Sequence, residues 1–291
     1  MMDPLQILPM EDWPLLRDTL KRDWPMYAYH YNWVKTAIKW RKKEPELEHE
    51  IYCPNGKYDS GVFVGILNSG FFVTTVFAFK ESKDVLKQAI NETKIIKWDK
   101  GVLFNSVHEH FVDVVEEFLD KIKKRKNIQI IKDVTNYFFK SKEDCAKQEL
   151  PKIPEECEIK HLNLSDIRLI HSIWPHRDLE RPETSEKYLE NFIRLNRGVG
   201  LFLKKNGRLV SWVLYGELGH LGMLQTVDEH KRKGYGKIVT QVLSKELADE
   251  EGLDSVLFVV DKNVASEKLF ESLNYKRVAT TFWFKTEPFT E

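Results

Sequence analysis

Apolar residues in the second half of the chain recur at helical spacing in two places. One is 184–196, with Tyr188, Leu189, Phe192, Ile193 and Leu195; the other carries Ile238, Val239, Val242, Leu243 and Leu247. Each pattern puts an apolar stripe on one side of a helix, and the glycines that follow (Gly198 and Gly200, then Gly252) close it. Runs rich in β-branched and aromatic residues predict strands over 157–162, 199–204, 209–215, 220–227, 255–260 and 275–285. Asn206-Gly207 predicts a hairpin turn between two of them, and the glycines at 216 and 219 predict another turn. A helix carrying Ile167, Ile170 and Ile173 opens near Asn163 and stops at Trp174-Pro175, and a short one covers 265–273. The predicted order is βααβββαβαβ.

The first half follows the same order more loosely. Strands are predicted over 5–8, 48–53, 61–67, 71–79, 102–107 and 130–139, and helices over 13–21, 31–41, 83–91 and 111–122, with a hairpin turn at Asn68-Ser69-Gly70. The polar stretch 143–156, with Pro151 and Pro154 and no apolar period, reads as a linker. The expectation is an α+β chain of two tandem domains, 1–146 and 147–291, the second built on the plan of the first.

Composition narrows the function classes. Apolar residues are 42% and charged residues 31% of the chain, a globular balance, and no apolar run is long enough to span a bilayer. Lys+Arg and Asp+Glu both total 45, so no overall field draws the protein to nucleic acid or to an anionic membrane; any anion site is a local cluster. Cys53, Cys145 and Cys157 fall in no metal or CxxC spacing, which predicts free thiols in a reducing, intracellular compartment. The opening MMDPLQILPMEDW has prolines and acids where a signal or transit peptide has none, and reads as part of the fold. A cytoplasmic protein is expected. His108 and His110 offer two ligands with no third, so no metal is expected; the lysine-rich run 121–126 reads as a solvated helix end.

The local cluster lies between the strand ending at Val227 and the helix beginning near Gly236. It reads Lys231, Arg232, Lys233, Gly234, Tyr235, Gly236, Lys237. Glycines let backbone N–H groups approach phosphate oxygens, the helix start adds partial positive charge, and the cations supply charge-assisted bonds. The other reading is a solvated basic turn. A P-loop needs GxxxxGK[ST], which is absent, and the dinucleotide fingerprint needs a parallel βαβ unit, whereas this turn follows an antiparallel meander. In the first half, 80–87 has no glycine at all, so that copy is expected to be degenerate.

LQTVDEHKRKGYGKIVTQVLSKEL resembles motif A of the GNAT acetyltransferases, and NVASEKLFESLNYKRV resembles that family's N-x-x-A-x-x-LYxxxGF segment. GRLVSWVLYGELGHLGML, the Trp174-Pro175 stop and the opening MMDPLQ resemble more narrowly the glycine N-acyltransferase-like branch. The resemblance implies two GNAT-like domains and an acyl-CoA co-substrate whose pantetheine arm bonds to the backbone of Leu224, Gln225 and Thr226. Its pyrophosphate would lie on 231–237, with Asn263 and Ser266 near the thiol end. Lys231 stands at the family's R/Q position, and Phe270 stands where many members have the tyrosine that protonates the leaving thiolate. Some members of the branch are mitochondrial, but this chain shows no clear presequence.

Acylating an amine needs a proton acceptor, a positioned amine and an oxyanion donor. His220, at the start of the strand feeding the turn, stands where related enzymes carry a Glu base; the bland reading is an exposed hairpin histidine. Glu217 is the reserve candidate, expected to be solvated. Arg177 and Arg181 would flank the acceptor cleft and could pair with a carboxylate, or be ordinary surface charge. Trp174 and Trp212 read as core or cleft wall. The expected reaction is acyl transfer from acyl-CoA to a small primary amine, glycine or another amino acid. The rival is a non-catalytic acyl-CoA-binding or protein-interaction module.

Overall fold

A computed structural model describes residues 2–290. The first part of the chain forms β1 Leu5–Ile7, α1 Trp13–Thr19, α2 Ala28–Lys43, β2 His49–Pro54, β3 Val62–Ser69, β4 Phe71–Ala78, α3 Lys83–Glu92, β5 Val102–His108, α4 Val112–Lys126 and β6 Ile130–Lys140. There follow α5 Lys142–Lys147, β7 Cys157–His161, α6 Ile167–Ile173, α7 Pro182–Leu195, β8 Gly198–Leu203, β9 Leu209–Tyr215, β10 His220–Thr226, α8 Tyr235–Glu251, β11 Ser255–Val260, α9 Val264–Ser272 and β12 Lys276–Thr286. The βααβββαβαβ order holds in both halves.

The chain groups into two compact units, and their division differs from the expected cut at 146/147. The first unit runs to Asn136 and takes in the chain from Ala279 onward; the second is Tyr137–Val278. The chain therefore leaves the first unit within β6 and returns to it within β12. In the first unit the sheet runs β1-β2-β3-β4-β5-β12, antiparallel except for β4 beside β5. β12 enters that sheet through Thr281 opposite His108 and Lys285 opposite Leu103. Pairing so distant in sequence leaves no local pattern, which is why the expected boundary missed it. The core under this sheet is aromatic: Trp33, Tyr29, Phe63, Phe77 and Phe111 are all buried.

In the second unit the sheet runs β11-β10-β9-β8-β7, with the single parallel pair at β10 and β11. The Asn206-Gly207 turn joins β8 to β9 as expected, with the Gly207 N–H bonded to the Leu203 carbonyl. Asn163 and Asp166 cap the entry to α6 reciprocally, a capping box. Trp174, in extended conformation, ends that helix. α8 packs on β8, β9 and β10. The start of the expected linker is helical: Ser141 caps α5, whose Cys145 is buried, and Gln148 beyond it bonds to the Gln241 carbonyl and the Ser244 hydroxyl of α8. Cys53, Cys145 and Cys157 are free and buried. Among the described residues no helix is long and apolar enough to cross a membrane, and no group of three or more ligating side chains could hold a metal ion.

Candidate active site

The basic turn is built by backbone conformation. Arg232 and Gly234 both take left-handed angles (φ +62° and +79°), and α8 starts immediately after, with Gly234 as N-cap and no side chain capping it. The first intrahelical bond runs from the Ile238 N–H to the Gly234 carbonyl, which leaves the N–H groups of Tyr235, Gly236 and Lys237 at the open end of a 17-residue helix. No acidic residue lies in that first turn. The angle at Gly234 favours glycine sterically. At Gly236 the restriction is weaker: an added Cβ would come no closer than 3.7 Å to Leu224, Leu269 or Thr226. Nothing in the protein itself demands a glycine there.

The side chains divide the work. Arg232, Lys233 and Lys237 are exposed, while Lys231 is held by Asp228 at 2.6 Å. Lys233 Nζ lies 3.4 Å from His230 Nδ1. The Tyr235 ring is buried, stacks on His230, and donates its hydroxyl proton to Glu156 at 3.3 Å. Tyr235 therefore anchors the helix start, and only its amide faces outward.

β10 provides the second part of the site. It pairs with β11 only at His220 with Val256 and Leu221 with Leu257; beyond that the two parallel strands part. Residues 222–226 are half-exposed although β10 lies between two other strands. On the other side, the register with β9 slips between Gly222 and Gln225, and Met223 adopts φ +55°. Met223 and Leu224 thus have no register partner on either neighbouring strand, the signature of a β-bulge. A row of backbone groups on Leu224, Gln225 and Thr226 borders an open cleft. Because Leu224 and Thr226 also lie against Gly236, that cleft runs into the basic turn. The bulge was missed in the sequence; Gly222 inside a strand was the available signal.

Asn263 N-caps α9, its Oδ1 accepting from the Ser266 N–H at 3.2 Å, so both residues serve the helix start. Phe270 is buried against Tyr275. Tyr275 does not replace the missing acid: its hydroxyl pairs with Ser255 at 2.7 Å and burial raises its pKa.

His220 and Glu217 are both interior residues, which excludes the alternative of an exposed hairpin histidine and corrects the expectation of a solvated Glu217. The His220 ring fills a slot between Gly216 and Gly222, where a Cβ on either glycine would overlap it. Phe192 of α7 and Phe258 of β11 meet its edges at 6.4 and 5.5 Å. Nδ1 is buried with no hydrogen-bond partner, and Nε2 lies on the Gly222 side, next to the bulge. Burial pushes its pKa down to about 4. Glu217 is fully buried and accepts a 2.8 Å hydrogen bond from Tyr188, whose own pKa is raised by burial and by that carboxylate. The Gly216 N–H donates to the His220 carbonyl and closes the turn that carries Glu217.

Trp174 is buried and stacks on Tyr188, as a wall residue would. Arg177 donates to the Trp174 carbonyl at 2.7 Å, and Arg181 pairs with Asp178 at 3.2 Å. Both guanidinium groups thus brace the 174–181 loop. Trp212 is buried on β9, opposite Gln225.

Among the described residues of the first unit, the matching strands are covered. β4 and β5 also part, after Thr74 pairs with Phe104, but every residue of β4 is buried. Thr75 bonds to Asn105 at 2.7 Å and Tyr29 to the Ser106 carbonyl at 3.0 Å, which fills the space between the strands. Before α3 stand Lys80, Glu81 and Ser82, with Glu81 held by Arg22.

The chain is similar to several known proteins. Residues 198–284 match the FR47-like protein family, and residues 4–118 match a domain of unknown function, DUF5645. Human glycine N-acyltransferase-like protein 2 is 22% identical over 213 residues, 70% of each chain. A Drosophila protein of known crystal structure superposes with a TM-score of 0.87 over 99% of both chains at 24% identity. A tandem GNAT protein from the clavulanic acid biosynthesis pathway superposes with a TM-score of 0.50 at 9% identity, over 99% of this chain and 100% of its own. The chain thus shares the tandem GNAT fold, and its sequence is similar to that of a human glycine N-acyltransferase-like protein.

Proposed function

We propose that the second unit is an acyl-CoA-dependent N-acyltransferase whose acceptor is a small primary amine, glycine or another amino acid. The observation that carries this is the open edge of β10, with its bulge, running directly into the uncapped start of α8. The amides of Tyr235, Gly236 and Lys237, with Arg232 and the Lys237 side chain, suit a pyrophosphate. The backbone of Leu224, Gln225 and Thr226 offers the strand-like partner a pantetheine arm needs. The displaced amides at Met223 and Leu224 are donors available to a thioester oxygen as it becomes an oxyanion.

The chemistry balances on this chain's residues. The neutral amine adds to the thioester carbonyl, forming the C–N bond, and the C–S bond then breaks. The nitrogen loses one proton, which His220 Nε2 takes up. A base with pKa near 4 is too weak to deprotonate a free ammonium, so the amine must arrive neutral. It suffices for the far more acidic nitrogen formed after addition. Phe270 gives no proton, and the sulfur leaves as thiolate, which a thiol of pKa about 8.5 allows. The human relative's name supports the amino-acid acceptor.

Because the matching strands of the first unit are covered and its 80–87 segment has no glycine, we assign it no acyl-CoA site. The test of the main proposal is thiol release from acetyl-CoA across a panel of amines including glycine, with binding of CoA measured in parallel. Amine-dependent release supports transfer. CoA binding with no release above background would leave the acyl-CoA-binding module as the reading.

A further inference from the structure

We propose that Phe258 closes the acyl end of the cleft and restricts the donor to short acyl groups. This rests on the acyl-CoA reading above and adds to it the class of acyl chain. Phe258 is the first residue of β11 beyond Leu257, the last to pair with β10. His220 and Val256 are register partners and so share a face of the sheet, and Phe258, two residues on, points the same way. The 5.5 Å contact between the Phe258 and His220 rings agrees.

Phe258 is more open than its immediate neighbours on β11. Val256, Leu257 and Val259 are at most 2% exposed, whereas Phe258 is half-exposed at the point where the strands diverge. Behind it stands Tyr137, fully buried and 5.8 Å away ring to ring, so the phenyl group has no room to retreat. An acyl group whose carbonyl lies at the bulge beside His220 Nε2 has its remaining carbons at this vertex. A short acyl group ends before the ring; a longer or aromatic one meets it. Across a pocket wall of this kind, one methylene of fit discriminates by about tenfold or more.

The test is calorimetric affinity for CoA, acetyl-CoA, octanoyl-CoA and benzoyl-CoA, with the full chain and with Phe258→Ala and Phe258→Leu. The wild type should bind acetyl-CoA at least about tenfold more tightly than octanoyl- or benzoyl-CoA. Phe258→Ala should raise affinity for the long and aromatic donors until the preference disappears, while affinity for CoA itself stays level. Phe258→Leu, which keeps the site filled and guards against a misfolded alanine variant, should shift the preference part of the way. If CoA binds and the wild type accepts octanoyl-CoA as well as acetyl-CoA, or if neither variant changes the ratio, this assignment alone falls. If CoA itself does not bind the wild type, the cofactor reading falls and this one with it.

Discussion

At the scale of single residues, the His220 slot makes two demands that can be separated. The ring must be present, and Gly216 and Gly222 must leave it room. His220→Ala is expected to lower kcat by on the order of a hundredfold or more with little change in acyl-CoA affinity, as loss of a positioned proton acceptor does. Gly222→Ala should produce a similar kcat loss by displacing a ring that is chemically intact, and His220→Glu should restore part of the rate of His220→Ala. Steady-state kinetics with titrated CoA affinity would check all three; near-wild-type kcat in His220→Ala would move the role elsewhere, and Glu217 is enclosed with Tyr188 rather than ready to take it. The pH profile has a definite sign. With its pKa held near 4, His220 is already neutral above about pH 5. The rise of kcat/KM between pH 6 and 9 should therefore follow the free-amine fraction of the acceptor, and should shift when an amine of different pKa is used. A rise with a midpoint near 6.5 that ignores the acceptor's pKa would contradict the buried ring.

At the scale of elements, the start of α8 was legible because its ingredients are local: two glycines, a cluster of cations, and an amphipathic pattern immediately after. The hairpin at Asn206-Gly207 was legible for the same reason. The bulge at Met223 was not, since a single extra residue in a strand changes the register without changing the composition. Nor was the burial of Glu217, because a turn flanked by glycines looks solvent-facing until its neighbours in space are known. The two glycines of the turn should separate in experiment. A Cβ at Gly236 has three side chains as its nearest neighbours, none closer than 3.7 Å, so Gly236→Leu should leave the thermal midpoint of the ligand-free protein nearly unchanged while abolishing the stabilisation that acyl-CoA confers. Gly234→Ala, forced into a left-handed angle, should cost about 1–2 kcal/mol in stability with or without ligand. Thermal melts of both variants with and without acyl-CoA measure the difference.

For the whole molecule, the tandem architecture was readable from the repeated order of elements, whereas the pairing that closes the first unit was not. That unit carries buried imidazoles: burial holds His49 and His108 down to about 3, and lowers His30 as well. A histidine whose folded pKa lies below its unfolded value of about 6.5 leaves the unfolded chain binding more protons, so stability falls as pH drops below 6.5. At pH 5 each of His49 and His108 should cost about 2 kcal/mol, a large share of the few kcal/mol by which domains are stable. Urea unfolding at pH 7.5 and pH 5 should show the loss, and His108→Gln should reduce it. Titration of the full chain should also find one acyl-CoA site, lost in Gly236→Leu; saturable binding that survives in that variant would place a second site in the first unit.

The route of the chain through its two units also orders events during synthesis. Residues 137–278 are complete, and can close their own sheet, before the strand that lies against β5 has been made. The unit encoded first is thus finished last. A ribosome stalled near codon 279 would display a closed second unit beside an unclosed first one, whose β5 edge is bare. Limited proteolysis of such nascent chains should cut within 1–136 and spare 137–278, the reverse of what the order of the two units along the messenger would suggest.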